Sequence, residues 1–562
     1  MKKNLDVMAW SISLWLLGAG TVACPVLADA SSEQKEVGAV TLGEDPWGNR
    51  RVVHTSDTGS HYGRGTWLFG DPATPEELRR WIRTIAAGGA DTYVPDVYAA
   101  GGASYYRSEV APRPQYQIQR FAPMMDAGTI PLAVYIDEAH KQDMELLAGF
   151  RMNDRHGSST RWVMENHGDW LLEGLGGVDY ALPEVRDWIF SIIEEVPSRF
   201  DVDGVELNFI RHGYCFSAET ARDQHPVMTA LLQRVRQMLD EAGEKKGRRL
   251  LLGVRVSTTL DECHELGFDI PTWISKKIID YVAPSPYHCT DFNATYEEFS
   301  RLTRGSDCYL YPTLHADVPG GTTVMSLDNC RAAVQDFYGA GADGFSTFNY
   351  DVYMWGQLRS KSYPGPMNMY PKAMEFFKIL KDPEAVVAGD RHYLFHPLHA
   401  HEIFGPRGYR NLPSSHVRAV LKRSAQQRVK YRFRICESLP ERVDLPTDSL
   451  GRYEGSYNSA GNVPGVWLIF RALGMQPGDE IAVDINGQEI PADSVRHIWY
   501  QEGRPAWQGR ALPPYTECRL VLTSSSGVYG DNYLGIRLLR GADGADEDIV
   551  VDELEVIVHV KD

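Results

Sequence analysis

Eight short apolar runs, each followed by a stretch with helical spacing, constrain this 562-residue chain more than any other feature. The runs are RVVHTSD (51–57), ADTYVPDVY (90–98), MELLAGFRMND (144–154), DGVELNF (203–209), LLLGVRVS (250–257), DYVAPSPYH (280–288), CYLYPTLHAD (308–317) and ADGFSTFNYD (342–351). Between them, apolar residues recur three and four apart, as in Leu78, Trp81, Ile82 and Ile85, or along PEVRDWIFSIIEEV (183–196). Thr74-Pro75-Glu76-Glu77 has the form of a capping box with proline at the first helical position, and Gly88-Gly89 marks the stop. Strand and helix in strict alternation predict a parallel sheet, and eight units close most simply as a (β/α)8 TIM barrel over residues 45–385. An open doubly wound sheet is the competitor, but no glycine-rich phosphate loop follows any of the strands.

After residue 386 the texture changes. KYRFRIC, GVWLIFRAL, DEIAVDING, ECRLVLTS, YLGIRLL and DIVVDELEVIVHV are short β-type runs separated by Gly, Pro, Asn and Asp. Asn486-Gly487 fits a hairpin turn. Residues 386–562 are expected to form an antiparallel β-sandwich, either a carbohydrate-binding module or a buttress for the barrel.

The first thirty residues have the pattern of an export signal: Lys2-Lys3, an apolar core from Met8 to Val22, and an A-x-A site at 28–30. The apolar core falls short of the ~20 residues that span a bilayer, so no membrane span is expected. A lipid anchor at Cys24 is disfavoured by the adjoining Pro25. The chain is expected to act outside the cytoplasm, in the periplasm or beyond. Seven cysteines would remain (215, 263, 289, 308, 330, 436 and 518), an odd and scattered set that predicts buried thiols instead of a disulfide framework. A net charge of −18 argues against nucleic acid as a partner.

In a barrel of this kind chemistry sits at the carboxyl ends of the strands. There the sequence sets a polar rim: Asp96, Arg151, Asn153, Asp154, His156, Glu206, Asn208, Arg211, His212, Arg255, Tyr287, His315, Asp317, Asn349 and Asp351. Glu206 and Asn208 share one face of their strand with the core around them, so Glu206 requires a partner, with Arg255 the nearest in kind. Carboxylates, amides, arginines, histidines and strand-end aromatics together suit a polyhydroxylated carbohydrate ligand. No G-x-S-x-G elbow and no zinc spacing is present, and no cofactor is expected. An ion such as calcium among the scattered Asp and His residues stays open.

Three stretches carry a family likeness. AHKQDMELLAGFRMND (139–154), DYALPEVRDW (179–188) and DVDGVELNFIRH (201–212) resemble the glycosyl hydrolase-like 10 proteins, exported bacterial proteins grouped by a glycosidase-like barrel. The resemblance covers about 50–385 and implies a (β/α)8 fold and work on carbohydrate. D-G-x-x-x-N is also similar to D-G-x-x-x-D of retaining barrel glycosidases, whose final carboxylate is the nucleophile; here that place is Asn208. In the chitinase pattern the acid's place would be Ile210. Three readings follow. Glu206 is the general acid/base with Asp154 or Asp351 as its partner; or other rim groups act while Arg211 and His212 hold an anionic sugar; or the protein binds glycan without cutting it.

Overall fold

The computed structural model describes residues 51–560 apart from 57–68, 71, 100–101, 112–119, 155–160, 174–176, 211–212, 287–288, 317–324, 349, 351–371, 397–417, 426, 442, 444–464 and 506–510. The first half alternates as the periodicity predicts: β1 Arg51–Ser56, α1 Pro75–Gly88, β2 Thr92–Ala99, α2 Pro131–Lys141, β3 Glu145–Arg151, α3 Pro183–Arg199, β4 Gly204–Asn208, α4 His225–Lys246, β5 Leu251–Val256, α5 Ile270–Ser275, β6 Tyr281–Pro284, α6 Glu297–Thr303, β7 in two pieces (Tyr309–Leu310 and Thr313–Leu314), α7 Leu327–Gly339, β8 Gly344–Thr347 and α8 Lys372–Lys381. Local chemistry sets the ends of α1. Thr74 accepts from the Glu77 N–H while Glu77 reaches back to the Thr74 N–H, and Gly89 closes the helix in the left-handed region at φ 107°.

The eight strands pair in parallel in chain order, and β1 also pairs with β8. The path of the sheet starts at Tyr309–Leu310 and ends at Thr313–Leu314, the two pieces of β7, so the sheet curls back onto itself. Its outward residues join the helices in one large apolar core, with Val52, Trp81, Tyr93, Ile189, Leu207 and Val254 among its members. A smaller cluster of Val53, Val94, Leu147, Tyr281, Ala283 and Tyr311 packs separately, on the inward face.

The second half holds two antiparallel sheets, distinct from the first. With β9 Arg391–Leu394, β10 Ala419–Leu421, β11 Val429–Ile435, β12 Gly465–Leu473, β13 Glu480–Ile485, β14 Gln488–Ile490, β15 Arg496–Tyr500, β16 Tyr515–Leu522, β17 Gly530–Arg540 and β18 Ile549–His559, one sheet runs β9-β18-β12-β16-β15, with β10 also on β18. The other runs β11-β17-β13-β14. The hairpin expected at Asn486-Gly487 joins β13 to β14, both residues at positive φ (56° and 86°) as the tight primed turn needs.

These sheets are docked firmly on α7 and the loop after β6. Asp336 Oδ1 accepts from the Cys436 N–H at 2.8 Å, Gln335 donates to the Cys436 carbonyl and Asn329 to that of His392. The Phe292 ring packs edge-on against Tyr393 and Phe395. Cysteines 215, 263, 289, 308, 330, 436 and 518 are all buried thiols, as their spacing predicted. Among the described residues no helix is long and apolar enough to cross a membrane.

Candidate active site at the carboxyl ends of the strands

Strand register builds the inside of the curl in rows. Gly149, Glu206 and Gly253 lie side by side on β3, β4 and β5, and two residues further on Arg151, Asn208 and Arg255 do the same. Because side chains alternate, both rows face inward. The two glycines explain how an acid fits there. A Cβ at 253 would lie 1.9 Å from Tyr281 Cζ, and one at 149 would lie 3.0 Å from Asp96 Oδ1. Their bare backbones give Tyr281 and Asp96 room to reach across.

Tyr281 uses that room to donate its hydroxyl to Glu206 Oε2 at 2.9 Å. From the row above, Arg255 donates Nε to Glu206 Oε1 (3.1 Å) and Nη2 to Oε2 (3.2 Å). Its other donors go to Thr55 Oγ1 (2.8 Å), Thr313 Oγ1 (2.7 Å) and Ser346 Oγ (3.2 Å). A guanidinium has five N–H groups, and all five are taken. The Phe348 ring lies 5.3 Å from its carbon. Both side chains are essentially closed to solvent, at 0% and 1% exposure. The pairing that burial demanded is therefore present: it uses every Arg255 donor and closes Glu206 off from solvent.

The next cluster lies at the ends of β2 and β3. Arg151 donates Nε to Asp96 Oδ2 at 2.7 Å and Nη1 to Asp154 Oδ2 at 2.9 Å, giving two carboxylates on one cation. Beside them the buried Tyr98 phenol is pushed well above its ordinary pKa, by burial first and then by Asp154. Asn153 serves the framework: its Nδ2 donates to the carbonyls of Val178 and Tyr214, and its Oδ1 accepts from the Val178 N–H.

Asn208 differs from all of these. Its Oδ1 accepts from the Ile210 N–H at 3.0 Å, which fixes the amide's orientation. Its Nδ2 is then buried with no partner among the described residues. A buried donor left over in this way costs about 1–3 kcal/mol unless something supplies an acceptor. His315 is fully buried, and the Pro286 carbonyl at 2.9 Å makes Nε2 its protonated nitrogen. His156, Arg211, His212, Tyr287, Asp317, Asn349 and Asp351 lie outside the described residues.

One contributor, and one buried acid beyond the carboxyl end of β5, escaped the sequence. Tyr281 sits early in its strand, so nothing marked it as a ligand of Glu206. Glu262 lies in the first turn of a short helix, Leu260–Glu265, that follows β5. Burial pushes its carboxyl well above the ordinary range, against hydrogen bonds from Ser257 and Thr259. The T-x-x-E spacing from Thr259 was the available signal.

Among the described residues His396, Glu553 and Glu555 have the spacing of a metal site. Arg471 Nη1, 3.0 Å from Glu553 and 2.5 Å from Glu555, already supplies the positive charge a cation would bring.

The stretch that carries Asp96, Arg151, Asp154 and Asn208 is also the one in which the chain is similar to known proteins. Residues 64–224 match the glycosyl hydrolase-like 10 family. Curated relatives include the glycosyl hydrolase DigH of Escherichia coli K12, 25% identical over 208 residues, covering 28% of this chain and 46% of that protein. The glycosyl hydrolase YngK of Bacillus subtilis 168 is 26% identical over 214 residues, covering 30% and 41%. The chain thus spans less than half the length of these relatives. Solved structures with similarity include the glycoside hydrolase domain of PgaB (BpsB) from Bordetella bronchiseptica, at TM-score 0.39, 13% identity and coverage of 59% and 99%. Another is an α-amylase from Geobacillus thermoleovorans complexed with acarbose, at TM-score 0.38, 12% identity and coverage of 87% and 99%.

Proposed function

We propose that this protein is an exported glycoside hydrolase acting on a poly- or oligosaccharide, built on a (β/α)8 barrel with a C-terminal β-sandwich. Residues 1–30 would be the export signal and the sugar would bind at the carboxyl ends of the strands. The observation that carries the reading is Arg151 set between Asp96 and Asp154, at strand ends inside the region that matches the glycosyl hydrolase-like 10 family.

Hydrolysis of a glycosidic bond needs one carboxylate to take or share charge and one carboxyl to hand over a proton. Asp154 suits the first task, because Arg151 orients it from 2.9 Å. Glu262, after β5 and with its carboxyl pushed well above the ordinary range by burial, suits the second; Asp351 stays a candidate for it. Glu206 would be a positioning residue, fixing Arg255 and the strands beneath the site. Asn208 Nδ2 would donate to a sugar oxygen.

The test is a screen of polysaccharides for new reducing ends, followed by Asp154→Asn and Glu262→Gln on whichever substrate responds. Each variant should lose roughly 10²–10⁴-fold in kcat. Full turnover in both would remove these roles. A second reading, glycan binding without cleavage, is favoured by Asn208 standing where retaining glycosidases hold a carboxylate. It predicts glycan binding with no turnover in the unmodified protein.

A further inference from the structure

The curled sheet has a second mouth. At the amino ends of its strands, opposite the Arg151 and Asn208 row, a cavity of about 560 Å³ runs into the curl. That volume falls in the range of small-molecule sites, about 300–1,000 Å³. In barrels the amino end is ordinarily given over to stability, so a hollow there with an ordered lining calls for an occupant.

The lining has two parts. Inside are three tyrosines, with the rings of Tyr309 and Tyr311 6.3 Å apart and 14° from parallel, and that of Tyr281 5.5 Å from Tyr311. At the rim are charges that cancel in pairs. Arg249 meets Asp280 at 2.8 Å and Lys277 meets Asp307 at 2.6 Å. Arg51 is paired with Glu145 at 2.7 Å and Asp240 with Arg236 at 2.7 Å, so the three cations and three acids of the lining all have partners. Flat aromatic walls take the C–H face of a sugar ring, and rim groups of both signs donate to and accept from hydroxyls. With the charges paired off, the mouth offers no net field to an ionic ligand.

We propose that the amino-end cavity is a second saccharide site, taking one uncharged sugar ring on the half-buried Tyr309, with the buried Tyr311 and Tyr281 packed behind it. It does not rest on the hydrolase reading, since a ligand here neither touches nor competes with the carboxyl-end groups. The half-buried Tyr309 is the place to break it, as it lines the cavity without supporting Glu206.

The experiment is saturation-transfer NMR on the full chain with cellobiose and with N,N′-diacetylchitobiose as probes, and glucuronic acid as the charged comparison. The expected result is saturation of at least one neutral disaccharide with millimolar affinity. Tyr309→Ala should weaken it at least tenfold, and so should Tyr309→Leu, which keeps apolar bulk but removes the flat face. Any turnover should be unchanged, and both variants should keep a cooperative thermal transition. The proposal is overturned if neither disaccharide binds, if glucuronic acid binds more tightly than both, or if binding survives Tyr309→Leu and disappears with Asn208→Ala.

Discussion

Two arginines, Arg255 inside the curled sheet and Arg471 on the face of the C-terminal sheet, both hold buried carboxylates, and their surroundings are built on opposite plans. Arg255 is a closed circuit. One acid and three hydroxyls, drawn from β1, β4, β7 and β8, take all five of its N–H groups, and Tyr281 completes the acid. Arg471 is a node in an open network. It meets Glu517, Glu553 and Glu555, and each of these has a second partner: Arg519 for Glu517 (2.7 Å), Arg504 for Glu553 (2.7 Å) and His392 for Glu555 (2.9 Å). Its Nε has no partner among the described residues. The difference follows from sheet shape. A sheet curled on itself aims side chains from many strands at one point, so a single cation can be saturated. A flat sheet spreads its side chains over a face, so charges link to neighbours in turn.

The largest expected effect comes from breaking the closed circuit. Arg255→Met leaves Glu206 buried with only Tyr281, and should cost about 3–5 kcal/mol in urea-induced unfolding. A loss below about 1 kcal/mol would mean that water or another group reaches Glu206, against the plan described here. Arg471→Met is the matched test on the open network. Because each acid keeps a second partner, it should cost less, roughly 1–3 kcal/mol. Equal losses in the two variants would show that redundancy on the sheet face counts for nothing.

This contrast also marks what could be read in advance. The eight strands, the Thr74 capping box and the Asn486-Gly487 turn are local patterns, carried by residues within a few positions of one another, and they were legible. So was the need of Glu206 for a partner. What closes around it was not: Thr55 and Arg255 are 200 residues apart, and the glycines at 149 and 253 acquire meaning only from a register that pairs them with Glu206. The sheet-face network was half visible. Glu517 and Arg519, or Glu553 and Glu555, alternate as exposed strand residues do, which is why they pass for a solvated face. Only the coordinates show Glu553 and Glu517 at 1% and 4% exposure. In the candidate site, Asp96, Arg151 and Asp154 were named from their strand-end positions, whereas Glu262 was hidden by its place inside a helix.

The smallest effect concerns acid, and it separates the sheet-face network by sign. Burial alone would push the Glu555 carboxyl up, yet Arg471 and His392 outweigh it and hold it well below the usual range. Glu553 is lowered as well, burial again being outweighed, here by His396, Arg504 and Arg471. An unfolded glutamate titrates near ~4.3. A folded value below that means the unfolded chain takes up protons first as pH falls. The stabilisation is therefore complete above about pH 5, and it drains away as pH drops toward the folded value. Glu555→Gln cannot titrate, so it lacks this slope. The gap in urea midpoint between the unmodified protein and Glu555→Gln should stand at full width near pH 5 and narrow steadily below about pH 4.5. A gap that does not narrow would mean that the carboxylate form of Glu555 earns no support from Arg471. The network would then be a row of neighbours whose charges do not act together.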